Sequence, residues 1–211
     1  MTVLINGLEE GLWFKKGIRK RKKPPTCLVL HHTAGEGGAH QVFNTLTARG
    51  LSVHFVVDGD GRITQMANAV QTVCFHAGSA NEFSIGVEIA NRGVPPAIAG
   101  HLREVYRYKF RGVERNFLAF HERQVAAVWN LCKSVNYLFG IPLVWPEDQM
   151  VMPQEALEAY RGILGHHHIT ERKIDPSPRL WDDLARLRSL EPETPPGVPV
   201  SAPVPAGTQH R

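Results

Sequence analysis

Thiols are scarce, long apolar runs are missing, and the N-terminal segment does not read as a signal peptide. Cys27, Cys74 and Cys132 are the only cysteines in 211 residues. An odd number, widely spaced and without a C-x-x-C pair, excludes a disulfide framework and a thiolate metal cluster. Buried, reduced thiols are expected. No stretch is apolar for long enough to cross a bilayer. Residues 1–10 lack the basic start and apolar centre of a signal peptide, so cytoplasmic synthesis without Sec export is expected. There is no internal repeat, and no helix-turn-helix, zinc-finger or RNA-binding signature, so specific nucleic-acid binding is not expected.

What is present suits one packed domain. Hydrophobic residues make up 43% of the chain, enough for an ordinary core. The net charge of +4 is unevenly spread. Much of it lies in Lys15-Lys16-Gly17-Ile18-Arg19-Lys20-Arg21-Lys22-Lys23, which reads either as a solvated, partly mobile arm or as a contact for a polyanion such as an anionic cell envelope. Residues 1–25 are read as a basic leader, 26–190 as the domain, and 191–211 as a Pro-rich disordered tail or linker stub.

Within the domain, Thr26-Cys27-Leu28-Val29-Leu30 reads as a buried strand with His31 and His32 at its end. A helix is expected over 39–48, stopped by Gly50. Residues 53–57 and 62–65, joined by Asp58-Gly59-Asp60-Gly61, form a hairpin pattern. Strands follow near 72–75 and 84–91, and the latter carries Glu88 between Val87 and Ile89. Alternation puts Glu88 on a face shared with Gly86 and Ala90, whose small size leaves room for a ligand. Residues 92–117 resist assignment, with 102–110 open between a short helix and a strand. The apolar spacing of Val125, Val128, Trp129, Cys132, Val135, Leu138 and Phe139 predicts a core helix over 121–139. Shorter helices are expected over 153–160 and 180–187.

Chemistry concentrates in Gly165-His166-His167-His168-Ile169-Thr170-Glu171-Arg172-Lys173-Ile174-Asp175-Pro176. Imidazole and carboxylate together suit a borderline-soft divalent ion such as zinc. Two ligands from this loop need a third, which His31-His32 can supply. Three protein ligands leave one position open, as catalytic rather than structural zinc requires. Glu88 is a candidate proton acceptor, and Lys173 can face the same cleft.

Taken in order, five motifs resemble the type 2 N-acetylmuramoyl-L-alanine amidases, a zinc amidase family that includes peptidoglycan recognition proteins and phage lysins. They are Leu28 through Ala34; Ser52-Val53-His54-Phe55 with its hairpin; His76-Ala77-Gly78; Ser84 through Asn91; and Gly165-His166 through Arg172-Lys173-Ile174-Asp175-Pro176. The resemblance implies a single α/β domain, with a mixed central sheet flanked by helices and Zn2+ at one end of the strands. It implies His31, His166 and Asp175 as metal ligands, Glu88 as the catalytic carboxylate and Lys173 as the oxyanion partner. His76 and Asn91 are placed at the substrate, with His76 also open to a role in orienting a ligand. The implied substrate is peptidoglycan or a soluble muropeptide, cut between N-acetylmuramic acid and L-alanine. The setting is the cell wall for a phage lysin and the cytoplasm for a recycling enzyme. A non-catalytic peptidoglycan-binding module is the alternative. His167-His168 and Thr170-Glu171 depart from the family pattern, so the choice among the three histidines rests on His166 following Gly165.

Overall fold

The computed structural model describes residues 4–94 and 103–191. Most of the expected Pro-rich tail, and the Pro95-Pro96 part of the unassigned stretch, lie outside the described residues. A six-stranded mixed sheet organises the chain, in the order β1 (Leu4–Asn6), β5 (Ile63–Gln65), β4 (Phe55–Val57), β7 (Ser84–Ile89), β3 (Cys27–His32) and β10 (Gly162–Gly165). β4, β7, β3 and β10 run parallel, whereas β5 returns antiparallel to β4.

Residue parity sorts the side chains of the central strands. Leu28 and Leu30 of β3, with Ile85, Val87 and Ile89 of β7, pack into the larger core under α2 (Glu122–Phe139) and α4 (Arg179–Ser189). The opposite face meets α1 (Ala39–Ala48) through Ala39, Val42 and Leu46, and α3 (Gln154–Ala159) through Leu157. By the same parity, His31, Gly86 and Glu88 belong to the α1 face. α2 keeps the expected stripe as far as Val135, with Val125, Val128, Trp129, Cys132 and Val135 buried. At its last turn Leu138 is exposed and Phe139 only partly buried, contrary to expectation, and Gly140 ends it in the left-handed conformation. All three cysteines are free and buried. None of the described helices is long and apolar enough to cross a membrane.

The reading of the N-terminal segment needs correcting. Residues 4–25 are built into the fold and are not a detached leader. β1 pairs in parallel with β5, Leu12 and Phe14 are buried in the α1-side core, and β2 (Ile18–Lys20) pairs with β6 (Thr72–Cys74). Arg21 explains how a basic run becomes part of a core. Its buried guanidinium donates to the carbonyls of Thr72, Glu82 and Ser84 at 3.1, 3.0 and 2.8 Å, so its charge is met by backbone dipoles rather than by water. The stretch left open between helix and strand takes the strand alternative. Its described part forms a hairpin of β8 (Val105–Phe110) and β9 (Val113–Leu118).

Candidate metal and hydrolytic site

Register brings the site together. His31 and Glu88 are direct partners across β3 and β7, and Gly165, the last residue of β10, pairs with Leu30. The residues following these strand ends therefore converge at one end of three neighbouring parallel strands. His31 comes from the strand itself, Glu88 from one neighbour, and His166 from the turn just beyond the other. Asp175 returns at the far end of the same loop.

The converging atoms are His31 Nδ1, His166 Nδ1 and Asp175 Oδ2. The two nitrogens are 2.9 Å apart, and the carboxylate oxygen lies 3.1 Å from the first and 3.2 Å from the second. Edges of this size match those between ligands of tetrahedral zinc, about 3.3 Å for metal–ligand bonds near 2.05 Å. Three lone-pair atoms packed so closely repel one another unless a proton or cation sits among them. The group can hold a metal ion.

The outer edge of His31 is also fixed. Its Nε2 lies 3.0 Å from His76 Nδ1, His76 Nε2 lies 3.2 Å from Ser84 Oγ, and Ser84 Oγ donates to the Ala80 carbonyl at 2.6 Å. Running outward, that chain supplies His31 with an acceptor for its Nε2 hydrogen and leaves the Nδ1 lone pair free for a cation. Gly86 makes room for it, since a Cβ there would stand 2.7 Å from the His76 ring. The space expected above the small residues of β7 is thus filled by His76. Both His76 nitrogens are engaged within the protein, one of them on His31, although its side chain lines the cleft.

Burial pushes the His31 imidazole down to about 4, with His166 adding to the shift, so His31 is neutral at neutral pH as a ligand must be. Burial alone would raise the Asp175 carboxyl. Hydrogen bonds from His166 and His31 outweigh it and hold Asp175 well below the usual carboxylate range. Glu88 goes the other way. Burial, reinforced by the Asp175 charge, pushes it up to about 8, against the pull of Lys173. Its Oε2 is buried without a hydrogen-bond partner. An orphaned carboxylate oxygen facing a cleft points to a ligand that completes it.

Of the three loop histidines, only His166 turns toward His31 and Asp175. His167 N–H donates to the Asp175 carbonyl at 3.0 Å, and its Nδ1 lies 3.0 Å from the same oxygen. His168 accepts the Gly165 N–H at 2.9 Å and reaches the Asp148 carbonyl at 3.0 Å. His54 is a sheet residue, accepting the Gly86 N–H at 3.0 Å. Asn91, expected at the substrate, is not among the residues that line the cleft. It is fully buried, donating to the Leu118 and Ala119 carbonyls at 3.3 and 3.2 Å and accepting the Gly93 N–H at 2.6 Å.

The cleft is lined by His31, Glu88, His166, Lys173 and Asp175 on one side and by α1 on the other. From α1 come Gln41 and Thr45, with Arg49 at its end. Their four-residue spacing is a polar stripe visible in the sequence, and the sequence reading, which took 39–48 only as a helix, did not single it out.

The N-acetylmuramoyl-L-alanine amidase family pattern matches residues 21–178. The fold resembles that of the Escherichia coli N-acetylmuramyl-L-alanine amidase AmiD, solved with the substrate anhydro-N-acetylmuramic acid-L-Ala-D-gamma-Glu-L-Lys. Identity is 26% and the TM-score 0.53, over 77% of this chain and 56% of AmiD, so this chain spans a little over half of that protein. The Ph2119 endolysin of a Thermus scotoductus bacteriophage shares the fold at 16% identity and TM-score 0.54, over 87% of this chain and 97% of the endolysin. Drosophila PGRP-LB does so at 17% and 0.52, over 88% and 94%. None of the curated proteins is significantly similar in sequence.

Proposed function

Because the chain belongs to the N-acetylmuramoyl-L-alanine amidase family, we propose that it is a zinc-dependent hydrolase of the amide between N-acetylmuramic acid and L-alanine. The observation that carries this reading is the convergence of His31, His166 and Asp175 beside the orphaned Glu88 carboxylate. When bound, zinc supplies Lewis acidity, activating water and polarising the carbonyl.

The chain's own residues do the rest. His31, His166 and Asp175 hold the ion. Glu88, on the neighbouring strand, accepts a proton from the attacking water and returns it to the leaving nitrogen. The water oxygen bonds to the lactyl carbonyl carbon and the C–N bond breaks. A muramyl carboxylate and a free L-alanine amino terminus result. The exposed Lys173 ammonium lines the cleft and faces the charge that develops on the carbonyl oxygen. His76 fixes the tautomer and direction of His31.

Purified cell wall incubated with the protein is expected to yield new L-alanine amino termini, and metal analysis to find one zinc per chain. Zinc binding without new amino termini would replace hydrolysis with peptidoglycan binding alone. Comparing intact sacculi with soluble anhydro-muropeptides separates wall lysis from fragment recycling.

An anionic partner for the basic segment belongs to this proposal. Lys15, Lys16, Arg19, Lys20, Lys22 and Lys23 are exposed. The Gly17 carbonyl accepts the Ser52 hydroxyl at 2.5 Å, next to Leu51 of the cleft wall, so the run leads to the rim of the site. Retention on anionic wall should fall roughly tenfold between low and physiological salt. A variant with Lys15, Lys16, Lys22 and Lys23 changed to Gln should lose that dependence. Equal salt slopes for the two proteins would rule the contact out.

A further inference from the structure

The hairpin of β8 and β9 projects from Asn91, whose side chain holds the Leu118 and Ala119 carbonyls at its base. Two of its arginines reach the opposite walls of the cleft. Arg103, at the base, donates to the Glu36 carboxylate, in the loop between β3 and α1 that supplies Gly35 and Gly37 to the cleft. Arg111, at the tip, reaches the loop that carries His166, Lys173 and Asp175. Its Nη1 donates to the Glu171 carbonyl at 3.1 Å and its Nη2 to the His167 carbonyl. Its Nε and backbone N–H hold Gln149 at 2.8 and 3.2 Å. The buried Phe110 ring packs edge-on against His167, with centroids 5.4 Å apart.

The backbone at Arg111 sharpens the point. Arg111 and Gly112 form the two-residue turn between the paired Phe110 and Val113, with φ of +48° and +81°. Such a turn wants Asn or Gly first, because a side chain fits poorly in the left-handed region. Arginine occupies it here and spends its guanidinium on the carbonyls of the adjacent loop. The hairpin thus uses a poor turn former where a long planar cation makes three backbone contacts.

We propose that the hairpin sets the position of the 166–175 loop through Arg111, which acts as a positioning residue for His166 and Lys173. The proposal rests on the zinc-amidase reading above, but its readouts do not require turnover. One is the zinc dissociation constant of the full chain, by competition with a chromogenic chelator. The other is hydrogen exchange at the His167, Ile169 and Lys173 amides, which are bonded within the loop.

Arg111→Ala should weaken zinc binding roughly tenfold and speed exchange at all three amides. Arg111→Lys should restore only part of each, because an ammonium cannot span the same carbonyls. Arg111→Gly is the decisive variant. Glycine suits the left-handed turn, so the hairpin stays folded while the contacts are lost. It should show the same weakened zinc binding and faster exchange as Arg111→Ala, and kcat should fall with KM little changed. Wild-type zinc affinity and exchange in Arg111→Gly would overturn the proposal. Wild-type protein that binds zinc yet leaves cell wall uncut would overturn the amidase reading and leave this one standing.

Discussion

Glu88→Gln is expected to keep its zinc and its melting temperature while kcat for muropeptide falls roughly 10²- to 10⁴-fold, the range typical of a lost general base. Retained structure follows from the geometry. Glu88 Oε2 makes no hydrogen bond, so the substitution breaks none at that atom, and none of the three ligand atoms belongs to Glu88. A large loss of rate follows from its electrostatics. Burial and Asp175 push the carboxyl up to about 8, and a cation held by the ligands pulls it back down. A carboxylate balanced near neutrality is suited to taking a proton from water and giving it to an amine. Zinc content and single-turnover rates measured on the same preparation check the prediction. Turnover within a few-fold of wild type would remove Glu88 from the reaction.

The second large effect is on stability in mild acid. His54 and His167 are pushed down to about 3, and His168 to about 4, by burial first. All three are at most 1% exposed. Between those values and the ordinary histidine pKa near 6.5, the unfolded chain binds protons that the fold refuses. Stability therefore rises with pH across this window, is fully present above it, and is lost as pH falls. Each group contributes about 1.4 kcal/mol per pH unit. Glu88 opposes them, because its raised carboxyl binds a proton in the fold that the unfolded chain releases above its own, lower pKa. These three histidines less Glu88 alone account for a loss of about 3 kcal/mol per pH unit below pH 6 in the metal-free protein, a large part of a typical stability of 5–15 kcal/mol. His31, His32 and His76, also lowered by burial, act in the same direction. Urea midpoints at pH 7 and pH 5 measure it. Equal midpoints would mean that these imidazoles are protonated in the folded protein.

Long periodic elements were legible in the sequence, and short ones were not. The alternation in β3 and β7 and the three-and-four spacing in α2 identify their buried faces, and with them the side on which His31 and Glu88 stand. β1 and β2 have three residues each, too few for a period, and the lysines around β2 hid Arg21 among solvated charges. β10 has glycine at both ends and shows its strand character only through its pairing with β3. The contacts of Asn91 were not legible, because a position in a motif does not reveal which way a buried amide turns. The three histidines could not be told apart by residue type. They separate only once the Asp175 and Asp148 carbonyls are seen to occupy His167 and His168.

The site divides into two mechanical halves. The sheet half carries Glu88 and His31 on adjacent hydrogen-bonded strands, whose spacing is locked by the ladder. The loop half carries His166, Lys173 and Asp175 on one short piece of chain beyond β10. A shift of that piece would carry His166, Asp175 and Lys173 in concert against Glu88 on its strand. In the proposed reaction, alignment would then depend on where that one piece sits, so amino-acid changes far from the cleft would tune reactivity without replacing any group that takes part in it.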